Sequence, residues 1–263
     1  MGTPEFFQIP QLILERMDMA WTFMLLLTRY GIFMMLAPGL GGGIMGLVVR
    51  YPAAVVLALV SVNPAEVAAL PPDMGLMAGQ LTSEVLLGSI VALIPVTIVA
   101  GAQTAGHLAS STMGLNGAQL IDPSTQAVLP DLARIYSDFA IVAFLLLGGH
   151  YVAIAELAGL DEAIKPGTFL LTEAGLDTII SQTARIFQIG CLIAAPVIVA
   201  LLLTNFVMGI ISKAVPTINI FIISFPLTIG IGLFISILAL PEAAHYLGRE
   251  FNRLGDVLHM ALR

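Results

Sequence analysis

Charge is the scarcest commodity in this sequence. Its 263 residues include only 10 Lys and Arg and 17 Asp and Glu, a charged fraction of 10%, where soluble domains carry about 25%. A water-soluble globule of this size would lack the polar side chains needed to cover its surface. The mean hydropathy of +0.99 therefore places the chain among integral membrane or membrane-assembled proteins. A basic cluster is also missing, and the net charge is −7, which argues against nucleic acid as a partner because phosphate binding needs a concentrated positive field. The single cysteine, Cys191, has no second thiol for an intrachain disulfide and sits in an apolar run, where it reads as a small core residue. Met1 to Glu15 contains no Lys or Arg, so the basic n-region of a cleavable secretory signal is absent and this first segment is expected to be kept as structure.

What the chain does have is long uncharged runs: Tyr30 to Val49, Tyr51 to Ala65, Val85 to Ile121, Phe139 to Ala155, Ile186 to Ser212 and Ala214 to Pro241. A hydropathy reading draws six helices from them, at about 17–37, 51–70, 85–109, 139–160, 186–210 and 217–240. With the C-terminal arginines held in the cytoplasm, Arg16, Lys165, Arg185, Arg249, Arg253 and Arg263 fall inside and Arg50, Arg134 and Lys213 outside, a weak positive-inside bias.

The prolines argue against six plain spans. Pro95, Pro196 and Pro226 each fall well inside an apolar run, and each removes an amide donor and crowds the carbonyl four residues earlier. The fragments left read as half-helices or hairpins facing other subunits or an aqueous path, with kinked spans in an ordinary bundle as the alternative. Two stretches are amphipathic. Leu132, Ile135, Tyr136 and Phe139 share a helical face opposite Arg134 and Asp138, with Asp131 opening that helix. Leu247, Phe251, Leu254, Leu258 and Leu262 repeat at helical spacing opposite Arg249, Arg253 and Asp256, which predicts a C-terminal amphipathic helix at about 243–263, lying at an interface or against a partner.

Enzyme-like signals are weak. Gly41-Gly42-Gly43-Ile44-Met45-Gly46 satisfies G-x-G-x-x-G and Glu66 follows at a suitable distance, but no strand precedes the glycines, so a dinucleotide site is not supported. The same residues give small-xxx-small pairs, Gly39 with Gly43 and Gly42 with Gly46, suited to close helix packing or to a hinge after Pro38. His107, His150, His245 and His259 make no zinc-ligand spacing, the serines lack a nucleophile-elbow signature, and most acidic residues fall in connections. The expectation is a protein without catalytic residues, cofactor or metal. Arg29 is more telling. It stands within an apolar segment, where insertion scales charge about 2.5–3.5 kcal/mol for a central Arg, so it must pair or face water. Asp18 is on nearly the same helical face but about 16 Å away along the axis, which implies an acceptor from another segment or subunit, or snorkelling.

Residues 106–123 are uncharged until Asp122 yet rich in Gly, Ser, Thr, Asn and Gln. Such backbone at membrane depth must line a cavity or be wrapped in protein. A loop of small polar residues with one Met could close a pore and move aside; an ordinary connector is the plain alternative.

The ordered set of these features resembles the FliR/SctT family of type III secretion export-gate proteins, over about Arg29 to Asn252. Its carriers are Arg29 through Pro38 to Arg50, Gly106 through Gly114 to Asp122-Pro123, Gly148-Gly149-His150 in the stretch ending at Pro166, Pro196, and Gly209 through Lys213, Pro216 and Asn219 to Phe225-Pro226. Lys213 stands where the family usually has Arg, and Thr217 where it often has Gln. The resemblance implies an all-α membrane protein of Pro- and Gly-broken helices and helical hairpins, FliP/FliQ-like, forming one export-gate domain over residues 1–263. It implies a single copy assembling with FliP-like and FliQ-like subunits into a helical pore complex, beside FlhB-like and FlhA-like components. Unfolded flagellar proteins are the implied cargo, and the bacterial inner membrane at the flagellar basal body the implied location. The family's plug loop maps onto Gly106, His107, Ser110, Ser111, Met113, Gly114, Asn116, Gly117, Gln119 and Asp122. Two other readings stay open at this level: an injectisome rather than a flagellar machine, and a secondary transporter, which would also use discontinuous helices and rare buried charges such as Arg29 and Glu84.

Overall fold

The computed structural model describes residues 8–39, 43–63, 67–115, 132–159, 164–214 and 220–262. The elements are all α-helices: α1 (Gln8–Leu36), α2 (Gly43–Ser61), α3 (Met74–Met113), α4 (Leu132–Leu146), α5 (Gly149–Ala158), α6 (Glu173–Ala214), α7 (Ile220–Asn252) and α8 (Leu254–Leu262). There is no strand among the described residues, which agrees with the all-α expectation.

Among the described residues four helical stretches are long and apolar enough to cross a membrane, Arg16–Leu36, Met74–Met113, Glu173–Ala214 and Ile223–Leu262, and the pair Leu132–Leu146 with Gly149–Ala158, bent by 60°, makes a fifth if counted as one broken span. The six-span drawing gives way to four or five among the described residues for local reasons. The expected span at 51–70 corresponds to α2, which ends at Ser61. The expected span at 139–160 is divided between α4 and α5, because Gly148 adopts φ 73°, a left-handed conformation that interrupts the helix. The proline breaks are corrected as well. Pro95, Pro196 and Pro226 lie inside the continuous helices α3, α6 and α7, as do Pro52 in α2 and Pro241 in α7. A missing amide removes one hydrogen bond and favours a kink, but the remaining ladder and side-chain packing carry the helix through. Around Pro95 that packing is extensive, with Ile90, Val91, Ala92, Ile94, Ile98 and Val99 all buried.

The chain forms two compact units, one comprising Met1–Val96, Gly148–Ile180 and Leu254–Arg263, the other Thr97–Leu147 and Ser181–Arg253. In the first, α1 buries a stripe made by Trp21, Leu25, Leu26, Tyr30, Phe33 and Met34, the i, i+4 pattern of an amphipathic helix. It packs on α2, whose buried face is built on Ala54 and Ala58. The chain turns between them after Ala37, with Gly39 at φ 85°. α5 packs on α8, which buries Leu254, Val257, Leu258 and Ala261. Arg253 is a turn residue between α7 and α8, so the C-terminal amphipathic stretch is two helices.

In the second unit, α4 packs on α7, with Phe144 and Phe251 rings 5.5 Å apart. Arg185 of α6 makes a bidentate bond to the Glu250 carboxylate of α7 at 2.7 and 2.8 Å, and Thr228 donates to the Met113 carbonyl at 3.2 Å. Gly106 lies directly on the backbone of Ala133, so that a Cβ there would collide with backbone atoms that cannot yield. Small residues of this kind let helix axes approach closely where lipid offers no hydrophobic driving force between helices. Replacing Gly106 with Leu is therefore expected to lower the melting temperature of the detergent-solubilised protein sharply, by more than Gly79→Leu, which points into open space; equal melting shifts would contradict this packing.

Candidate functional site

The strongest polar constellation is a buried cluster in the first unit, centred on the charge the sequence could not pair. Arg29 of α1 donates from Nε to Glu84 Oε2 at 2.6 Å and from Nη2 to Glu84 Oε1 at 3.1 Å, with side chains 3% and 0% exposed. The guanidinium also donates to the carbonyls of Leu157 at 3.0 Å and Ile164 at 3.2 Å. The first of these carbonyls lies in the last turn of α5, where backbone acceptors have no intrahelical donor. Glu84 in turn accepts the Gly167 amide at 2.6 Å, and Gly167 takes φ 77° to present it. One ion pair thus ties α1, α3, the end of α5 and the 164–167 turn together.

Glycine makes this geometry possible. Gly88, one turn beyond Glu84 on α3, sits so close to the Arg29 carbonyl oxygen that a Cβ would stand 2.5 Å from it. Close approach of the two helix backbones is what brings a Glu side chain within reach of the guanidinium. Neighbouring ties reinforce it. Tyr30 and Ser61 share a hydroxyl bond of 2.7 Å, and the Trp21 indole donates to Gln80 Oε1 at 2.7 Å. Asp18 and Thr22, one helical turn apart on α1, accept the amides of Leu70 at 2.7 Å and Ala68 at 2.9 Å.

The other sequence-derived positions are dispersed. Gly106, His107, Ser110, Ser111 and Met113 lie in the last turns of α3. Their small size suits a packed helix: Gly106 and Met113 are buried, and Ser110 Oγ is buried without a hydrogen-bond partner. Gly114, at φ 81°, turns the chain out of α3, while Asn116, Gly117, Gln119 and Asp122 lie outside the described residues. Pro38 is in the α1–α2 turn. Arg50 donates to the Met35 carbonyl at 3.1 Å, closing the end of α1. His150 begins α5 with its ring 3.9 Å from that of Tyr151. Lys213 is exposed at the end of α6, and Pro216 and Asn219 lie outside the described residues. Among the described residues no group of three or more His, Cys, Asp or Glu could hold a metal ion.

Fold and cluster together define a helical membrane protein whose buried charges serve to fasten helices to one another. Residues 20–254 match the family described as bacterial export proteins, family 1, and the chain belongs to that family. It is similar to the flagellar biosynthetic protein FliR of Escherichia coli, 29% identical over 66% of this chain and 69% of that protein. It is also similar to FliR of Caulobacter vibrioides, 26% identical over 89% and 94% respectively, and to the secretion system apparatus protein SsaT of Salmonella typhimurium, 22% identical over 64% and 65%. It is a component of a type III export apparatus.

Breaking a buried ion pair from one side costs about 3–5 kcal/mol because the survivor is stranded, whereas replacing both partners with apolar residues is far milder. Glu84→Gln is expected to destabilise the purified protein by about that amount in thermal unfolding, and Arg29→Met with Glu84→Met to recover most of the loss. Additive losses in this double-mutant cycle would show that the two side chains act independently.

Proposed function

We propose that this chain is a wall element of the flagellar protein-export channel in the bacterial inner membrane at the basal body. It acts as a single export-gate domain, one copy beside several FliP-like and FliQ-like subunits, with FlhB-like and FlhA-like components adjacent and unfolded flagellar proteins as the cargo. The flagellar assignment over the injectisome follows the higher identity to FliR than to SsaT.

The observation that carries this reading beyond family membership is a mismatch of lengths. α6 has 42 residues and α3 has 40, contours of about 63 and 60 Å at 1.5 Å per residue, against a hydrocarbon core of about 30 Å. Yet the exposed apolar side chains of α6 run from Leu176 through Phe187, Val199 and Phe206 to Ile211. Lipid cannot cover all of that contour, so protein must cover the remainder, which fits a subunit completed by its neighbours. A transporter reading loses its main attraction, because Arg29 and Glu84 are engaged with each other. No catalytic group, cofactor or nucleotide enters the mechanism; energy comes from the export machine's cytoplasmic ATPase and the proton motive force.

The closing element is the segment 116–122 beyond Gly114, with the last turns of α3 as its base. Met113, at the base of this segment, is held by Thr228 and packs against Gly232. Residues 110–113 belong to the packed helix, so the informative deletion spares them. Removing 116–122 is expected to raise ion leak across the inner membrane while FliP-like and FliQ-like chains still co-purify. An unchanged leak with the complex intact overturns the pore-closing role, and a chain that purifies alone as a small homo-oligomer overturns the export-gate reading.

A further inference from the structure

The second unit contains a cavity of about 260 Å3 between α6 and α7 that no part of the export reading uses. Its apolar lining is made by Leu192, Ile193 and Pro196 on α6, the first half-exposed, and by Ala239 and Ala243 on α7. Its rim is polar: Glu242, Tyr246 and Arg249 follow one another on successive turns of α7. The Arg249 guanidinium stands 5.6 Å from the Tyr246 ring centroid, and neither Arg249 nor Glu242 makes an ion pair among the described residues. The nearby Arg185 and Glu250 neutralise each other, so the rim presents one free cation and one free anion. Pro196 adds an acceptor, since it has no amide to give the Leu192 carbonyl.

We propose that this cavity binds a zwitterionic phospholipid with a primary ammonium, of the phosphatidylethanolamine class. Arg249 meets the phosphate, for which a guanidinium offers paired donors. The ammonium, with three N–H donors, meets the Glu242 carboxylate and the Leu192 carbonyl, and the start of an acyl chain lies on the apolar lining. Position supports this occupant. The uncharged run of α7 ends at Pro241, between Ala239 and Glu242 of the lining, so on α7 the cavity straddles the boundary between apolar and charged sequence, while its α6 side lies within that helix's uncharged run. Tyr and Arg side chains are the ones that collect at the membrane–water interface.

The chain, purified from membranes with whatever subunits accompany it, is delipidated, offered equal amounts of phosphatidylethanolamine, phosphatidylglycerol and phosphatidylcholine, and weighed by native mass spectrometry. Phosphatidylglycerol carries no cation for Glu242, and the trimethylammonium of phosphatidylcholine has no N–H to donate. The expected result is one phosphatidylethanolamine retained per copy of this chain, in severalfold excess over the other two. Arg249→Gln, at an exposed position, and Ala239→Phe, which fills the cavity, each reduce retention severalfold. Equal retention of the three lipids, no retention, or retention unchanged by Arg249→Gln would overturn the assignment. So would a protein segment found in the cavity of the assembled complex. Lipid retention is read on this chain whether or not other subunits co-purify, so its failure is distinguishable from failure of the export-gate reading.

Discussion

The first unit depends on one decision about charge: Arg29 is neutralised inside the chain. A guanidinium and a carboxylate, both withdrawn from solvent, are tolerable only when the geometry is good and the remaining donors and acceptors are used. Here the carbonyls of Leu157 and Ile164 and the amide of Gly167 use them. The pair also has a temporal side. Glu84 follows Arg29 by 55 residues, so α1 is complete well before α3 exists. Until then Arg29 bears the cost of an unpaired charge in an apolar segment.

The second unit is assembled by a different means. Its tight contacts are made by small residues: Gly106 against the Ala133 backbone, Gly101 against Ile189, Gly190 against Thr104 and Gly232 against Met113. Between apolar helices in lipid the driving force is van der Waals contact, and that contact is greatest where side chains are smallest. This also explains why Gly, Ser and Thr are concentrated near the end of α3. The residues that look too polar and too small for a membrane helix are those that let it pack.

The sequence was most legible where the signal was compositional. Charge scarcity and run lengths gave the membrane class, and the lone Arg29 in an apolar run announced that an acceptor had to exist. Its identity was hidden, because pairing between α1 and α3 has no local periodicity and depends on Gly88 allowing the backbones together. Asp18 is not that acceptor, and the group it does accept from, the Leu70 amide, is backbone and leaves no mark in side-chain spacing. Proline misled in the opposite direction. Its local chemistry was read correctly, but one absent amide is a small loss beside the packing on either side of Pro95. The Gly106–Met113 stretch is helical, a state that composition alone does not distinguish from a polar loop.

A chain with so few charges makes the placement of each one informative. Arg29 with Glu84 and Arg185 with Glu250 are intramolecular fasteners with little or partial exposure, whereas Arg134 with Asp138 is an exposed pair at 3.9 Å, of a kind worth little in stability. Glu242 and Arg249 belong to neither group. They are unpaired among the described residues, on one face of α7, over an apolar cavity. Both are exposed, so water solvates them in the isolated chain, and the zwitterionic lipid proposed for the cavity would take the place of that water with both signs at once. A membrane supplies such a molecule wherever an apolar helix meets water.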